Sequence, residues 1–160
     1  MTVYTIQKSM RKKSYKRKKG PVQSKKISYD GINFASGLER YMYMALKKAK
    51  IKALYEGETF ELQEGFNFPF ESYERCGNGK GDYKNRGNKK IHNIKYTPDF
   101  IGKNFIIETK GRANESFPLR WKMFKKIMAN KRLDPFTLYK PQNQKECDET
   151  IRLILLKLKD

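Results

Sequence analysis

Hydrophobic residues recur at helical spacing in three segments of the chain. In residues 37–50 the apolar positions follow the i, i+3, i+4, i+7 pattern and predict an amphipathic helix; they are Leu38, Tyr41, Met42, Ala45, Leu46 and Ala49. Ser36 precedes this helix as a natural N-cap, and Glu39 lies three residues later, the arrangement of a capping box. Residues 117–130 and residues 144–159 predict two further helices.

The apolar face of the second helix is predicted to hold Leu119, Met123 and Ile127, widened by Phe124 and Met128. That of the third is predicted to hold Cys147, Ile151, Ile154, Leu155 and Leu158.

Strand-like segments lie between the helices. Residues 94–101 and 104–110 are joined by the short turn Gly102-Lys103, which predicts an antiparallel hairpin. Residues 53–73 alternate in places and predict one or two strands, and residues 136–139 predict another.

The order α-β-β-β-α-β-α predicts a mixed α+β (α/β) fold in which helices flank a central mixed β-sheet. Residues 74–93 are rich in Gly and Asn and predict a loop. This loop is either a tolerated surface insertion or a segment that contacts DNA, in which case Lys89 and Lys90 would bind phosphates.

Charge changes the picture from an ordinary small domain to a protein with a polyanionic partner. The 160 residues include 36 Lys and Arg against 17 Asp and Glu, a formal net charge of +19. Such a charge favours nucleic acid, because basic side chains release the counterions of phosphates. Residues 1–29 carry ten basic residues and no acid, and they predict a flexible arm ahead of a domain at residues 30–160.

The arm is interpreted either as a phosphate-tracking segment or as a solvated or nuclear-targeting tail. The first interpretation assigns DNA contacts to Lys12, Lys13, Lys16, Arg17, Lys18 and Lys19.

Several classes are disfavoured by composition. The two cysteines, Cys76 and Cys147, form no C-x-x-C pair, and with the single His92 they argue against a zinc site. No apolar run reaches the length of a membrane helix, and the N-terminus lacks the apolar segment of a secretory signal. We therefore expect a soluble cytoplasmic protein with no membrane partner and no small-molecule substrate.

The most informative chemistry lies around the predicted hairpin. Asp99 follows Pro98, and Glu108 and Lys110 stand two residues apart at the end of an apolar strand, so they share a side. Two carboxylates and an ammonium suit a divalent cation and a scissile phosphate, and the backbone carbonyl of Thr109 would be a further oxygen ligand. The Thr109 side chain is expected to face the other side and to serve packing. On spacing alone this pattern is weak, because such residues also form surface salt bridges.

The motifs add a resemblance. Tyr96-Thr97-Pro98-Asp99-Phe100, followed by Ile107-Glu108-Thr109-Lys110-Gly111, resembles the signature of the PD-(D/E)XK nuclease superfamily. Phe34-Ala35-Ser36-Gly37-Leu38-Glu39 is similar to the F-x-S-G-L-E segment of the phage endonuclease I family, which resolves Holliday junctions. The resemblance covers about residues 30–125.

The resemblance implies a restriction-endonuclease-like core and a metal-dependent endonuclease acting on branched DNA as a homodimer. Its catalytic residues would be Glu39, Asp99, Glu108 and Lys110, with Mg²⁺ as cofactor and Mn²⁺ as a substitute. Glu39 then has two roles open to it, in the capping box or at the metal. The longer residue 74–93 segment and the basic arm depart from the family and leave the substrate open.

Two alternatives to a junction-resolving enzyme follow. One is a sequence-directed or end-directed nuclease, and the other is a non-catalytic basic nucleic-acid-binding protein. Further phosphate contacts are assigned to Arg112, Lys122, Lys125 and Lys126, although the three lysines would equally suit a solvated helix face. Trp121 is interpreted as a core or interface residue.

Overall fold

The computed structural model describes residues 27–130 and 136–158, which form a mixed α+β fold. Its elements in chain order are β1 (Ile27–Tyr29), β2 (Ile32–Phe34), α1 (Gly37–Lys48), β3 (Ala53–Tyr55), β4 (Phe60–Gln63), β5 (Phe66–Phe68), β6 (Tyr73–Glu74), β7 (Lys84–Asn85), β8 (Lys89–Ile91), β9 (Ile94–Tyr96), β10 (Phe100–Gly102), β11 (Phe105–Ile107), α2 (Phe117–Asn130), β12 (Thr137–Tyr139) and α3 (Gln144–Lys157). None of the helices in these two ranges combines the length and apolarity needed to cross a membrane.

The central sheet has four strands in the order β12-β11-β10-β3. β10 pairs antiparallel with both β11 and β3, whereas β11 pairs in parallel with β12, so the sheet is mixed as predicted. All three residues of β11 are buried, which is expected of an inner strand covered on both faces. The β10–β11 hairpin is confirmed, with Ile101 opposite Ile106, although its turn is Lys103-Asn104 because Gly102 is the last residue of β10.

Alternation along β11 divides the core in two. Ile107 packs with Met42 and Leu46 of α1 and with Ile154 of α3, whereas Ile106 belongs to a second cluster around α2. Since successive strand residues point to opposite faces, α1 and α3 cover one face of the sheet and α2 covers the other. The two core clusters meet at the end of β11, and Glu108 is the next residue of the chain.

The three helices begin and end within two residues of the predicted bounds. Ser36 caps α1, because its Oγ accepts a hydrogen bond of 3.2 Å from the Glu39 backbone N–H. In α2 the buried face is Phe117, Trp121, Phe124 and Met128. Leu119, predicted on that face, is 64% exposed, so the stripe is rotated by about a quarter of a turn from the prediction, and Trp121 is a core residue.

The third helix, α3, has a narrower buried face than predicted. Cys147 and Ile154 are buried as expected, and Thr150 completes the face. Leu155 and Leu158 are exposed and do not belong to it.

Three strand predictions need correction. Residues 94–101 do not form one strand, because the chain breaks at residues 97–99 between β9 and β10. Pro98 lies in the break, and a proline cannot donate the ladder hydrogen bond that a continuous inner strand requires. Residues 53–73 contain β3, β4 and β5 and the start of β6, rather than one or two strands. The second strand ends at Ile107, short of residue 110.

The prediction of a loop at residues 74–93 is also wrong. The pairs β4–β9, β5–β8 and β6–β7 are all antiparallel and nested, so residues 60–96 form one long hairpin interrupted by irregular backbone. Gly79 and Gly81 have positive φ angles of 72° and 80° near its tip, where the chain reverses. We call residues 64–91 the hairpin arm.

The N-terminal hairpin of β1 and β2 was not predicted. Asp30 and Gly31 connect it with φ angles of 56° and 75°, the positive values of a two-residue type I′ turn, for which Asp-Gly is a preferred sequence. β1 begins at Ile27, so the basic arm predicted for residues 1–29 overlaps the folded part by three residues. The rest of that arm lies outside the described residues.

Candidate functional site

A polar cavity of about 350 Å³ opens where the two layers of the core meet. Glu39, Asp99, Glu108 and Lys110 all line it, although they come from α1, from the break after β9, and from the chain after β11. The structure therefore brings together the four residues that the sequence selected as catalytic. Residues of β9 and α2 also line the cavity, among them Lys95, Tyr96 and Arg120.

The backbone after β11 stays attached to its neighbour and places two site residues. The Glu108 N–H donates to the Tyr139 carbonyl at 3.0 Å, and the Lys110 N–H donates to the Pro141 carbonyl at 2.9 Å. Alternate residues are therefore hydrogen-bonded to the segment that contains β12, as in a continuing strand. Glu108 and Lys110 accordingly point to the same side of the backbone. Lys110 Nζ lies 3.7 Å from Glu108 Oε1 and 4.8 Å from the centre of the Phe117 ring.

Asp99 is held by Thr109. The backbone N–H and the side-chain hydroxyl of Thr109 both donate to Asp99 Oδ2, each at 2.6 Å. Thr109 thus positions a site carboxylate, and its assignment to packing alone is corrected. The sequence signal for this contact was Pro98, which breaks the strand and turns Asp99 toward the end of β11. The contact itself could be inferred only once the pairing of β10 with β11 was known.

The carboxyls of this site are poorly stabilised as anions. Burial, and then the neighbouring Glu108 carboxylate, raise the pKa of Asp99 to about 8, against the opposing effect of the Thr109 hydrogen bonds. Burial also raises the pKa of Glu108, although Tyr96 and Lys110 favour its ionised form. The buried Glu108 and the half-buried Asp99 repel each other, and together they form a site that a cation would stabilise.

Glu39 makes the contacts of the helix cap and also lines the cavity. Its Oε2 accepts hydrogen bonds from the Tyr55 hydroxyl at 2.7 Å and from the Ala35 N–H at 2.9 Å, and Ser36 Oγ donates to its Oε1 at 2.8 Å. Glu39 is buried and lines the cavity at the same time. The hydrogen bonds of the helix cap therefore hold the Glu39 carboxylate in the wall of the cavity.

One oxygen of Glu108 lacks a normal partner. Glu108 Oε2 and the Tyr96 hydroxyl are both buried, and neither makes a hydrogen bond of ordinary geometry within the described residues. The Tyr96 hydroxyl nevertheless lies close enough to Glu108 to lower the pKa of that carboxyl. A buried carboxylate oxygen without a partner is costly, and it is available to a ligand that enters the cavity.

The donor set fits a hard divalent cation as a pair of carboxylates. In residues 27–130 and 136–158 no three His, Cys, Asp or Glu side chains are grouped so that they could hold one metal ion. Mg²⁺ commonly takes only one or two carboxylates and keeps several waters. Asp99 and Glu108, with the unpartnered Oε2 and the Thr109 carbonyl nearby in sequence, suit that requirement.

The remaining predicted DNA contacts are spread over the surface. Arg112, Lys122, Lys125 and Lys126 are exposed, and none of them lines the cavity. Lys89 and Lys90 are exposed on β8 of the hairpin arm. The six basic residues assigned between Lys12 and Lys19 fall outside the described residues.

Two cations of the cavity, Lys95 and Arg120, were missed by the sequence analysis. Lys95 precedes the buried Tyr96 on β9, and Arg120 lies in the first turns of α2 beside the buried Trp121. Arg120 could have been found from the rotated apolar face, because a face centred on Phe117 and Trp121 places residue 120 at its border.

Comparison with known families gives one match. The family described as "Protein of unknown function (DUF1064)" matches residues 17–140. The chain belongs to the DUF1064 family. The matched range of this DUF1064 member includes the whole cavity lining and the hairpin arm, and it ends before α3. No curated protein and no solved structure matches the chain.

The closeness of the Tyr96 hydroxyl to Glu108 in this DUF1064 protein carries a prediction. Tyr96→Phe removes the hydroxyl that favours ionised Glu108, so the pKa of Glu108 should rise further. Carboxyl NMR titration with EDTA present measures this rise. Tyr29→Phe, which removes an exposed hydroxyl away from the cavity, is the control and should leave the pKa of Glu108 unchanged. An unchanged pKa of Glu108 in Tyr96→Phe would contradict the role given to Tyr96.

Proposed function

We propose that this protein is a Mg²⁺-dependent, structure-selective DNA endonuclease that hydrolyses phosphodiester bonds in branched DNA, Holliday junctions included. The observation that carries the proposal is the convergence of Glu39, Asp99, Glu108 and Lys110 on one cavity from three separated parts of the chain. Chance placement of a D…E-x-K pattern would not also bring the glutamate of α1 to the same cavity. The net charge of +19 supports a polyanionic substrate.

The proposed fold is a restriction-endonuclease-like core. Its support is the order of elements, in which α1 precedes a mixed sheet and the site lies at the end of β11, between antiparallel β10 and parallel β12. A homodimer in the cytoplasm of a phage-infected host belongs to the same proposal, because the resemblance to the junction-resolving family implies it.

The residues divide the chemistry among them. Asp99 and Glu108 would hold Mg²⁺, and Mn²⁺ could replace it. When bound, the ion supplies Lewis acidity toward the phosphoryl oxygens and lowers the pKa of water. Lys110, held beside Glu108, orients the attacking water and offsets negative charge that develops on the phosphate.

Three further residues orient the water and the substrate. Glu39, fixed by Tyr55 and Ala35, accepts a hydrogen bond from the water. Arg120 and Lys95 contact the phosphates that flank the scissile bond, since both line the cavity that those phosphates would enter. The products would be a 5′-phosphate and a 3′-hydroxyl.

Cleavage of defined substrates tests the proposal. Purified protein with Mg²⁺ should cut a four-way junction or a flap at least tenfold faster than the matched linear duplex, and EDTA should stop the reaction. Comparable cutting of linear duplex at fixed sequences or ends would instead favour a sequence-directed or end-directed nuclease. Binding to all these DNAs without cleavage in Mg²⁺ or Mn²⁺ would favour a non-catalytic nucleic-acid-binding protein and overturn the proposal.

A further inference from the structure

The hairpin arm exposes aromatic side chains that no part of the described fold covers. Phe66, Phe70, Tyr73 and Tyr83 are between 46% and 68% exposed. They are arranged locally, because the Phe70 ring lies 5.7 Å from that of Phe68 and the Tyr73 ring lies 6.1 Å from that of Tyr83. Among the described residues, β5 pairs only with β8 and β6 only with β7, so the arm is a two-stranded ribbon along this length. Such a ribbon has marginal stability alone, and exposed rings on it suit a partner.

The charges of the arm select the kind of partner. Residues 64–91 contain six Lys or Arg and four Asp or Glu. Two of the acids are engaged within the arm, since Asn85 Nδ2 donates to Glu71 at 3.2 Å and Lys89 Nζ lies 3.9 Å from Glu74. The arm thus combines exposed rings with a net charge of +2, six basic residues against four acidic ones. A second copy of the chain is a poorer match, because ten charged groups in 28 residues are unlike the core of a stable dimer interface.

The arm is rooted at the candidate active site. Its base is the β4–β9 pair, in which Phe60 lies opposite Tyr96, and Tyr96 and Asp99 both line the cavity. Lys84, near the tip, lies twelve residues before Tyr96. At about 3.3 Å per residue the arm and its β4–β9 base together span up to roughly 40 Å, comparable to one turn of duplex at about 34–36 Å. DNA cut in the cavity would therefore have its neighbouring segment beside the arm.

We propose that the hairpin arm binds unpaired bases at the branch point of the DNA substrate, with its exposed rings stacking on the bases and its lysines contacting phosphates. In an intact duplex the faces of the bases are covered by their neighbours, whereas at a fork or flap they are free to stack on aromatic side chains. The arm is then the element that selects branched over linear DNA. The inference rests on the proposed function for its class of substrate, but it concerns binding and does not require cleavage.

The test measures binding with cleavage disabled. In full-length Asp99→Asn protein, the double substitution Phe70→Ser with Tyr83→Ser should weaken binding to a splayed fork by about 10- to 100-fold, from the loss of two stacking contacts. Binding to the matched perfect duplex should change by less than about threefold. Leu119→Ser, which removes an equally exposed apolar side chain from α2, is the matched control and should leave both affinities unchanged.

Two more variants separate stacking from folding of the arm. Phe70→Tyr with Tyr83→Phe keeps the rings and should retain fork affinity within about threefold. A 2-aminopurine base at the branch should be quenched by this variant and not by the serine variant. Equal losses on fork and duplex, or no loss on either, would overturn the inference. So would a wild-type dimer that the serine variant converts to a monomer, because the rings would then form the subunit interface. Failure of cleavage by the wild-type chain would reject the proposed function alone.

Discussion

Asp99→Asn is expected to reduce Mg²⁺-dependent cleavage by about a thousandfold or more, because several kcal/mol of transition-state stabilisation depend on a cation held by this carboxylate. DNA binding should remain within about threefold of wild type, since basic residues elsewhere carry the phosphate contacts. The amide keeps an oxygen that can accept the Thr109 hydrogen bonds, so the local fold should be retained. Single-turnover cleavage of a labelled junction measures the loss.

Asp148→Asn is the matched control for this substitution. Asp148 is an exposed carboxylate whose recorded partner is the Tyr41 hydroxyl on α1, outside the cavity. It should cut at the wild-type rate. Turnover by Asp99→Asn protein within tenfold of wild type would remove Asp99 from the reaction and with it the proposed metal site.

The same variant has a readout that does not depend on catalysis. The pKa of Asp99 is about 8 in the folded protein against an ordinary value of 3.8, so the folded state binds more protons than the unfolded state between these values. This contribution to stability is complete below about pH 4 and is lost as the pH rises through about 8. With EDTA present, the urea midpoint of wild type should therefore fall over this window, and Asp99→Asn should show a smaller fall. Mg²⁺ should raise the midpoint at pH 8 in wild type and not in the variant.

Much of the fold was predictable where the determinants are local. The three helices carry their apolar periodicity and, for α1, a cap, all within about fifteen residues of sequence, and their bounds were predicted within two residues. The hairpin of β10 and β11 was equally local, with a two-residue turn between apolar strands. The rotation of α2 was not, because Leu119 and Trp121 are both apolar and only tertiary packing decides which is buried.

The hairpin arm could not be predicted for the opposite reason. Its strands are two or three residues long and contain Asn, Lys and Glu, which have low strand propensity, so local pattern favoured a loop. Its pairing instead propagates from β4 and β9, where Phe60 and Tyr96 are buried beneath α2. The outer pairs, β5–β8 and β6–β7, can be predicted from the sequence only if the β4–β9 pair and its register are already known.

The candidate site was predictable as a set of residues and not as a set of contacts. Asp99, Glu108 and Lys110 follow from alternation and from the end of an apolar strand, and Glu39 entered through the resemblance. The double hydrogen bond from Thr109 to Asp99 depends on where the break at Pro98 aims the carboxylate. The position of Arg120 depends on the rotation of α2. Both features depend on tertiary packing, which strand or helix periodicity in the sequence does not reveal.

Lys110→Met is the second large effect that we expect, a loss of about a hundred- to a thousandfold in cleavage. Methionine keeps an unbranched apolar stem beside the Phe117 ring, so packing is retained, while the charge 3.7 Å from Glu108 is removed. Two losses then combine. The ammonium of Lys110 no longer orients the water or offsets the phosphate charge. The pKa of Glu108 also rises further, because Lys110 no longer lowers it. Raising the pH should restore part of the second loss and none of the first.

The pH dependence therefore distinguishes a direct role of Lys110 from an indirect one through Glu108. If Lys110 acts only by keeping Glu108 ionised, the variant should regain nearly wild-type cleavage at pH values above the wild-type optimum, because the carboxyl ionises there without help. If Lys110 also contacts the water or the phosphate, a gap of at least tenfold should persist at every pH. Lys145→Met, which removes an exposed lysine of α3 away from the cavity, is the matched control and should retain wild-type cleavage. Full turnover by Lys110→Met protein, free of wild-type contamination, would refute the assignment of this lysine to the reaction.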